Sequence, residues 1–326
     1  MTTVRVLVLA VFASCCCNIA ISCPEQCEVS YDFDAVNVIC RSASFVRFPG
    51  DCFPRNTTSL TIRLTNISNV TADDSGARVT LDRNNLSSLP ANLLQNLSKL
   101  KLLDLKGNRL THLPPGVFHH APLLELILRD NLISEVHPDV VSHNTSLTRL
   151  DLSGNQLKQP PVALLQRLGH LESLDLRNNQ LEELPPKALD SLPRLDALYL
   201  ERNQLKALDV FTFRGTPHLQ QVFLGNNRLE NLPAGLFQHL SELVFLDLGN
   251  NLLQRLAPGT LDGRYHVVLR GNPWHCQAEL AYLRHWLGTH EDERVFLAEK
   301  AKCHSPDILR GRAISSLTNR ELGLEG

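Results

Sequence analysis

Charge of one sign, long apolar runs and paired zinc motifs are all missing from this chain. Lys and Arg number 32 against 34 Asp and Glu, a net charge of -2, and no Lys/Arg-rich stripe breaks the balance. That excludes the electrostatic footprint of a nucleic-acid binder. Beyond the N-terminal stretch no segment offers the roughly 18 uninterrupted apolar residues that a membrane span needs. The C-terminus likewise lacks the apolar tail of a lipid anchor, so no membrane partner is expected. Cys23 and Cys27 have no second cysteine pair at zinc spacing, which argues against a metal centre.

What the chain does contain is a ladder. Asn84, Asn108, Asn131, Asn155, Asn179, Asn203, Asn227 and Asn251 follow one another in steps of 24 residues, with a single step of 23. Each lies in the pattern LxxLxLxxNxL, as in Leu147, Leu150, Leu152, Asn155 and Leu157, and again in Leu171, Leu174, Leu176, Asn179 and Leu181. These are leucine-rich repeats. One such unit cannot bury its own apolar face, so units stack and share a continuous core. An asparagine at a tight turn offers two amide donors and an acceptor to backbone groups that a leucine core leaves unpaired. The spacing predicts an α/β solenoid, a horseshoe with a parallel sheet on its concave face, disulfide-capped at both ends.

Alternation along a short strand directs the fourth and sixth motif positions inward and the fifth outward. A second column, Leu94, Phe118, Val141, Leu165, Leu189, Phe213, Phe237 and Leu261, repeats with the same period and forms a buried spine on the convex side. Pro90, Pro114, Pro185 and Pro233 recur just after the motif and disfavour a long helix there. A weak first repeat around Leu60, Ile62 and Ile67 places Thr65 at the ladder position, and a last strand near Val267 and Leu269 brings in Asn272.

The ends differ from the middle. Arg5, the apolar run Val6–Ala13 and small residues up to Ser22 read as a secretory signal over 1–22, making the remaining chain extracellular and soluble. Residues 23–59 form an N-terminal cysteine cap, 60–270 about nine to ten repeats, and 271–326 a C-terminal cap and tail. Six cysteines remain after the signal: Cys23, Cys27, Cys40, Cys52, Cys276 and Cys303. Small caps at the ends of a secreted solenoid need covalent staples. Cys276 pairs with Cys303 if the C-terminal cap is separate, a bridge contributing about 3 kcal/mol. The four N-terminal cysteines allow three pairings, of which Cys27 with Cys40 and Cys23 with Cys52 is favoured. Leu280, Leu283 and Leu287, with Trp286, mark one helix face, and the tail from Thr318 to Gly326 is expected to fray.

The stretch GNPWHC at Gly271–Cys276, followed by Tyr282, Leu283, Trp286, Leu287 and Cys303, resembles the C-terminal cap of extracellular leucine-rich repeat proteins. The common cap has a second cysteine where Ala278 stands. This two-cysteine variant, with LPANLL at Leu89–Leu94 and LDLSGN at Leu150–Asn155, is similar to the leucine-rich alpha-2-glycoprotein group of secreted plasma proteins. The four cysteines of the N-terminal cap exceed the two of that group. The resemblance implies a glycosylated ligand-binder in plasma, linked to transforming growth factor beta signalling, its accessory receptor endoglin, angiogenesis, acute inflammation and cytochrome c binding. Two alternatives stand beside it: a non-catalytic regulatory subunit of a plasma enzyme or growth-factor complex, and an extracellular-matrix repeat protein.

Six sequons, Asn56, Asn66, Asn69, Asn85, Asn96 and Asn144, lie in the first half and are candidate glycan sites in a secreted protein. Glycans there leave the later repeats more accessible. The fifth position reads Thr80, Asp104, Ile127, Asp151, Asp175, Tyr199, Phe223, Asp247 and Val268. Strands about 4.8 Å apart place Tyr199 and Phe223 beside Phe245 of the third position, a patch on a face long enough for a protein partner. Aromatic and arginine anchors dominate interface energetics, so Arg149, Arg177 and Arg202 join it as candidates. Asp104, Asp151 and Asp175 supply too few oxygens for calcium. His119 and His120 lie on the convex half of a repeat and His275 in the cap, and no serine or cysteine has a fixed partner. Neither a catalytic residue nor a cofactor is expected.

Overall fold

The computed structural model describes residues 27–32, 35–41, 58–63, 78–89, 91, 94, 99–263, 266–289 and 301–324. The expected signal segment, Thr65, Ile67, Pro90, the Cys23–Cys52 pairing and the sequons Asn56, Asn66, Asn69 and Asn96 lie outside them. The chain forms two compact units, one holding residues 1–132 and 139–142, the other 133–138 and 143–326.

In the first unit β1 (Cys27–Asp32) pairs antiparallel with β2 (Ala35–Arg41), and a Cys27–Cys40 disulfide closes the hairpin. Parallel pairing then runs from β2 to β3 (Ser59–Arg63), β4 (Arg78–Thr80), β5 (Leu102–Asp104) and β6 (Glu125–Ile127). The second unit continues the repeat with β7 (Arg149–Asp151), β8 (Ser173–Asp175), β9 (Ala197–Tyr199), β10 (Gln221–Phe223), β11 (Phe245–Asp247) and β12 (His266–Val268). These too are parallel and in register.

From β4 to β12 each strand is three residues long, because only motif positions three to five are extended, whereas β3 runs over five. The fourth-position side chains, from Leu103 to Val267, are buried, as are the sixth-position leucines. Every residue just before a ladder asparagine is left-handed, as at Arg83, Gly107, Asp130, Gly154, Asn178, Arg202, Asn226, Asn250 and Gly271. That conformation turns the chain off the strand and is easiest for glycine and asparagine.

The ladder asparagines are buried and bridge successive turns. In the second unit Asn203 Nδ2 donates to the carbonyls of Leu176 and Leu200, both at 3.0 Å, while its Oδ1 accepts the Leu181 amide at 3.0 Å. Asn108 does the same in the first unit with Leu81, Leu105 and Leu86. These bonds satisfy backbone groups enclosed by leucine.

The second column is buried throughout, and Phe213 stacks on Phe237 with ring centroids 5.7 Å apart. The segments beside it are turns, with one short helix, α1 (Val162–Leu165). At the C-terminal end a Cys276–Cys303 disulfide ties the cap, and α2 (Ala281–Thr289) buries Leu283, Trp286 and Leu287. Trp286 donates to the Leu261 carbonyl at 2.7 Å, and Trp274 to that of Leu269 at 3.2 Å.

The tail departs from expectation. Residues 318–324 are held rather than frayed: Leu322 is buried, Arg284 bonds the Leu317 carbonyl and the Asn319 side chain, and Arg312 pairs with Glu321. One leucine and a few polar contacts suffice to fix a segment too short to show a periodic core pattern. Among the described residues no helix is long and apolar enough to cross a membrane.

Candidate functional site

The candidate site is the sheet face of the second unit, where positions three and five project away from the leucine core. Register places Tyr199 opposite Phe223 and Phe223 opposite Asp247, with Phe245 diagonal to Phe223 on the same face. Diagonal neighbours of this kind are within reach of aromatic rings. Tyr199 and Phe223 stack with centroids 4.8 Å apart and planes 10° from parallel, and Phe245 leans on Phe223 at 5.1 Å and 40°. All three are half-buried, each ring covering the next.

Arg177 completes the column. Its guanidinium lies 4.8 Å from the Tyr199 ring centroid and forks onto the Asp175 carboxylate, with Nε to Oδ1 at 3.0 Å and Nη2 to Oδ2 at 2.6 Å. The geometry combines a cation–π contact with a bidentate ion pair. Burial pushes the Asp175 carboxyl up, and the bond from Arg177 opposes that rise. The same bond raises the already strongly basic guanidinium.

The other candidate arginines lie at opposite ends of their strands. Arg149 is exposed on β7, in register with Ser173. Arg202 occupies the left-handed turn after β9, where its amide donates to the Gly225 carbonyl at 3.0 Å and its side chain is exposed.

The fifth column is less open than alternation alone suggests. Thr80, Asp151, Asp175 and Val268 are buried, because side chains on adjoining strands cover one another. The aspartates also have a local task. Oδ1 of Asp104, Asp151, Asp175 and Asp247 accepts the amide two residues on, from Lys106, Ser153, Arg177 and Gly249 respectively. These are Asx-type turns that steer the exit from the strand. Tyr199 and Phe223, like Ile127 and Val268, give up that bond, and at β9 and β10 an aromatic ring takes the place of the carboxylate.

Sequence reasoning missed Glu201, at the seventh motif position beside Tyr199. Its Oε2 is buried without a hydrogen-bond partner. Burial raises its carboxyl, its own backbone amide and then Arg177 draw it down, and Asp175 and Asp247 push it up again. Asp247 is raised by burial and lowered by the Gly249 amide and by Arg270. Reading the seventh position as well as the third and fifth would have found this acidic flank.

Among the described residues no group of three His, Cys, Asp or Glu side chains is placed to hold a metal ion. His119 and His120 are exposed, and His275 Nδ1 lies 2.7 Å from Ser305 Oγ inside the cap. Asn85 and Asn144 are both exposed.

Leucine rich repeat family models match residues 77–127, 161–205, 195–253 and 217–264, and a second such model matches 146–168. This chain is a leucine-rich repeat protein. The repeat protein is 36% identical over 115 residues, 35% of its length, to leucine-rich repeat-containing G-protein coupled receptor 5A of Xenopus laevis. It is 35% identical over 58 residues, 18% of its length, to human carboxypeptidase N subunit 2. Each match spans only 10% of the curated relative. Human 5T4 (Wnt-activated inhibitory factor 1, trophoblast glycoprotein) superimposes with a TM-score of 0.59 at 25% identity, covering 94% of the repeat protein and 99% of that chain.

Proposed function

We propose that the repeat protein is a secreted, glycosylated binding module that engages another protein through the sheet face of its second unit. The observation that carries this is the half-exposed column of Arg177, Tyr199, Phe223 and Phe245. Stacked aromatics beside an oriented guanidinium have the composition of an interface anchor, and no core-packing need explains rings on the outward face. Tyr199→Ala with Phe223→Ala removes two anchors of about 2 kcal/mol each, enough to weaken a partner by more than a hundredfold. Affinity capture of the glycosylated protein from serum, read by mass spectrometry, identifies the partner. The double variant then loses it while keeping its circular dichroism spectrum. A partner retained at full affinity refutes the site.

The narrower reading rests on the cap spelled GNPWHC and its two cysteines, Cys276 and Cys303. On that likeness the module belongs with leucine-rich alpha-2-glycoprotein, in plasma, and modulates transforming growth factor beta signalling through its ligands or endoglin, with cytochrome c as a further partner. Surface-immobilised protein titrated with each of these decides it, and absence of saturable binding to all of them removes it. The match to carboxypeptidase N subunit 2 favours a second reading, a non-catalytic subunit of a plasma enzyme. That role predicts co-purification with one constant partner at fixed stoichiometry.

A further inference from the structure

Within the column, one repeat already shows what the face accepts. At β8 the seventh motif position is Arg177, and its guanidinium sits between an aromatic ring and a carboxylate. Two repeats further on, rings and carboxylates recur with glycine in place of that arginine. Phe223 and Phe245 supply the rings, Glu201 and Asp247 supply the carboxylates, and the seventh positions are Gly225 and Gly249.

The glycines carry no side chain where Arg177 has one, and the Asp247 carboxylate takes the space over Gly225. A Cβ added at Gly225 would meet Asp247 Oδ2 at 2.7 Å, so the carboxylate reaches over that glycine beside the rings. Asp247 Oδ1 is taken by the Gly249 amide, and Arg270 acts on Asp247 through space. Glu201 lies within electrostatic range of Asp175, Asp247 and an Arg177 already committed to Asp175; its own backbone amide bonds the carboxyl, while the buried Oε2 accepts no hydrogen bond. Two partly desolvated carboxylates within electrostatic range of one another, with aromatic faces alongside, form a surface complementary to one positive charge.

Building on the proposed docking face, we infer that it takes a basic segment of its partner protein, with an arginine or lysine side chain set against Phe223 and Phe245 between Glu201 and Asp247. The incoming cation repeats for β10 and β11 what Arg177 does for β8. An apolar neighbour in the same segment covers the rest of the aromatic column.

The test uses the full-length protein and displayed random linear peptides as the probe. Recovered peptides should be enriched in arginine or lysine next to an apolar residue. The best of them is then measured by calorimetry against the wild type, Glu201→Gln with Asp247→Asn, and Tyr199→Ala with Phe223→Ala. The carboxylate variant, and separately a peptide with its arginine replaced by neutral citrulline, each weaken binding about tenfold or more. Combining the two changes gives little further loss, because both remove one interaction. Both protein variants retain their melting transition. Enrichment of acidic or uncharged peptides, recovery of none, or affinity unchanged by the carboxylate variant overturns the inference. If the aromatic variant alone abolishes binding, the docking face stands and its charge preference falls; if neither variant matters, both fall.

Discussion

Replacing Asn203 by alanine tests whether the ladder is structural in the way the hydrogen bonds imply. The side chain is 7% exposed and joins three backbone groups: the carbonyls of Leu176 and Leu200, and the amide of Leu181. Alanine orphans the Leu181 amide inside a leucine shell, whereas the Leu176 and Leu200 carbonyls each keep a second ladder asparagine, Asn179 and Asn227. A buried orphan costs about 1–3 kcal/mol, so the expected local loss is about 2 kcal/mol. Repeat arrays unfold in parts rather than as one transition, so the assay is amide hydrogen exchange followed by mass spectrometry. Leu181, whose amide has Asn203 Oδ1 as its acceptor, should exchange about thirtyfold faster. Peptides from the first unit should be unchanged. A Leu181 amide that keeps its protection, or a urea-determined loss below about 1 kcal/mol, refutes the account of the ladder.

Three further expectations follow from packing, cross-links and charge. Gly215→Ala brings a Cβ to 2.3 Å from the Asp190 Cα, and since backbone cannot rotate away, overpacking should cost about 3 kcal/mol; a melting temperature equal to wild type contradicts it. Cys276→Ser with Cys303→Ser opens a loop of sequence separation 27 and should cost about 3 kcal/mol, concentrated in cap peptides such as those of α2 when exchange is measured. Asp175, Glu201 and Asp247 have folded-state values raised above 3.8 for Asp and 4.5 for Glu, first by burial. Raised carboxyls bind protons more readily in the folded state, so their favourable contribution is present below those ordinary values and is lost as pH rises through the folded ones. Stability of the second unit should therefore fall between about pH 4 and neutrality, and Glu201→Gln, which removes the repulsion from Asp175 and Asp247, should flatten that fall; a profile as steep as wild type would sink the reading.

The 24-residue spacing of the asparagines determined the repeat, the inward leucines and the buried second column. A period fixes which positions share a face, and every unit carries the same constraint. For that reason Phe213 and Phe223, ten residues apart, were assigned to opposite sides before any coordinates. The disulfide between Cys276 and Cys303 was readable because few cysteines remained to pair. Tertiary structure alone decided the rest. Whether rings on adjoining strands stack, and whether Arg177 folds over Tyr199, depends on parallel register and side-chain rotamers. The burial of Asp151 and Asp175, the orphan oxygen of Glu201 and the docking of Leu322 likewise arise between segments distant in sequence. Periodicity fixes which way a side chain points; the neighbour it meets is set only when the strands are laid side by side.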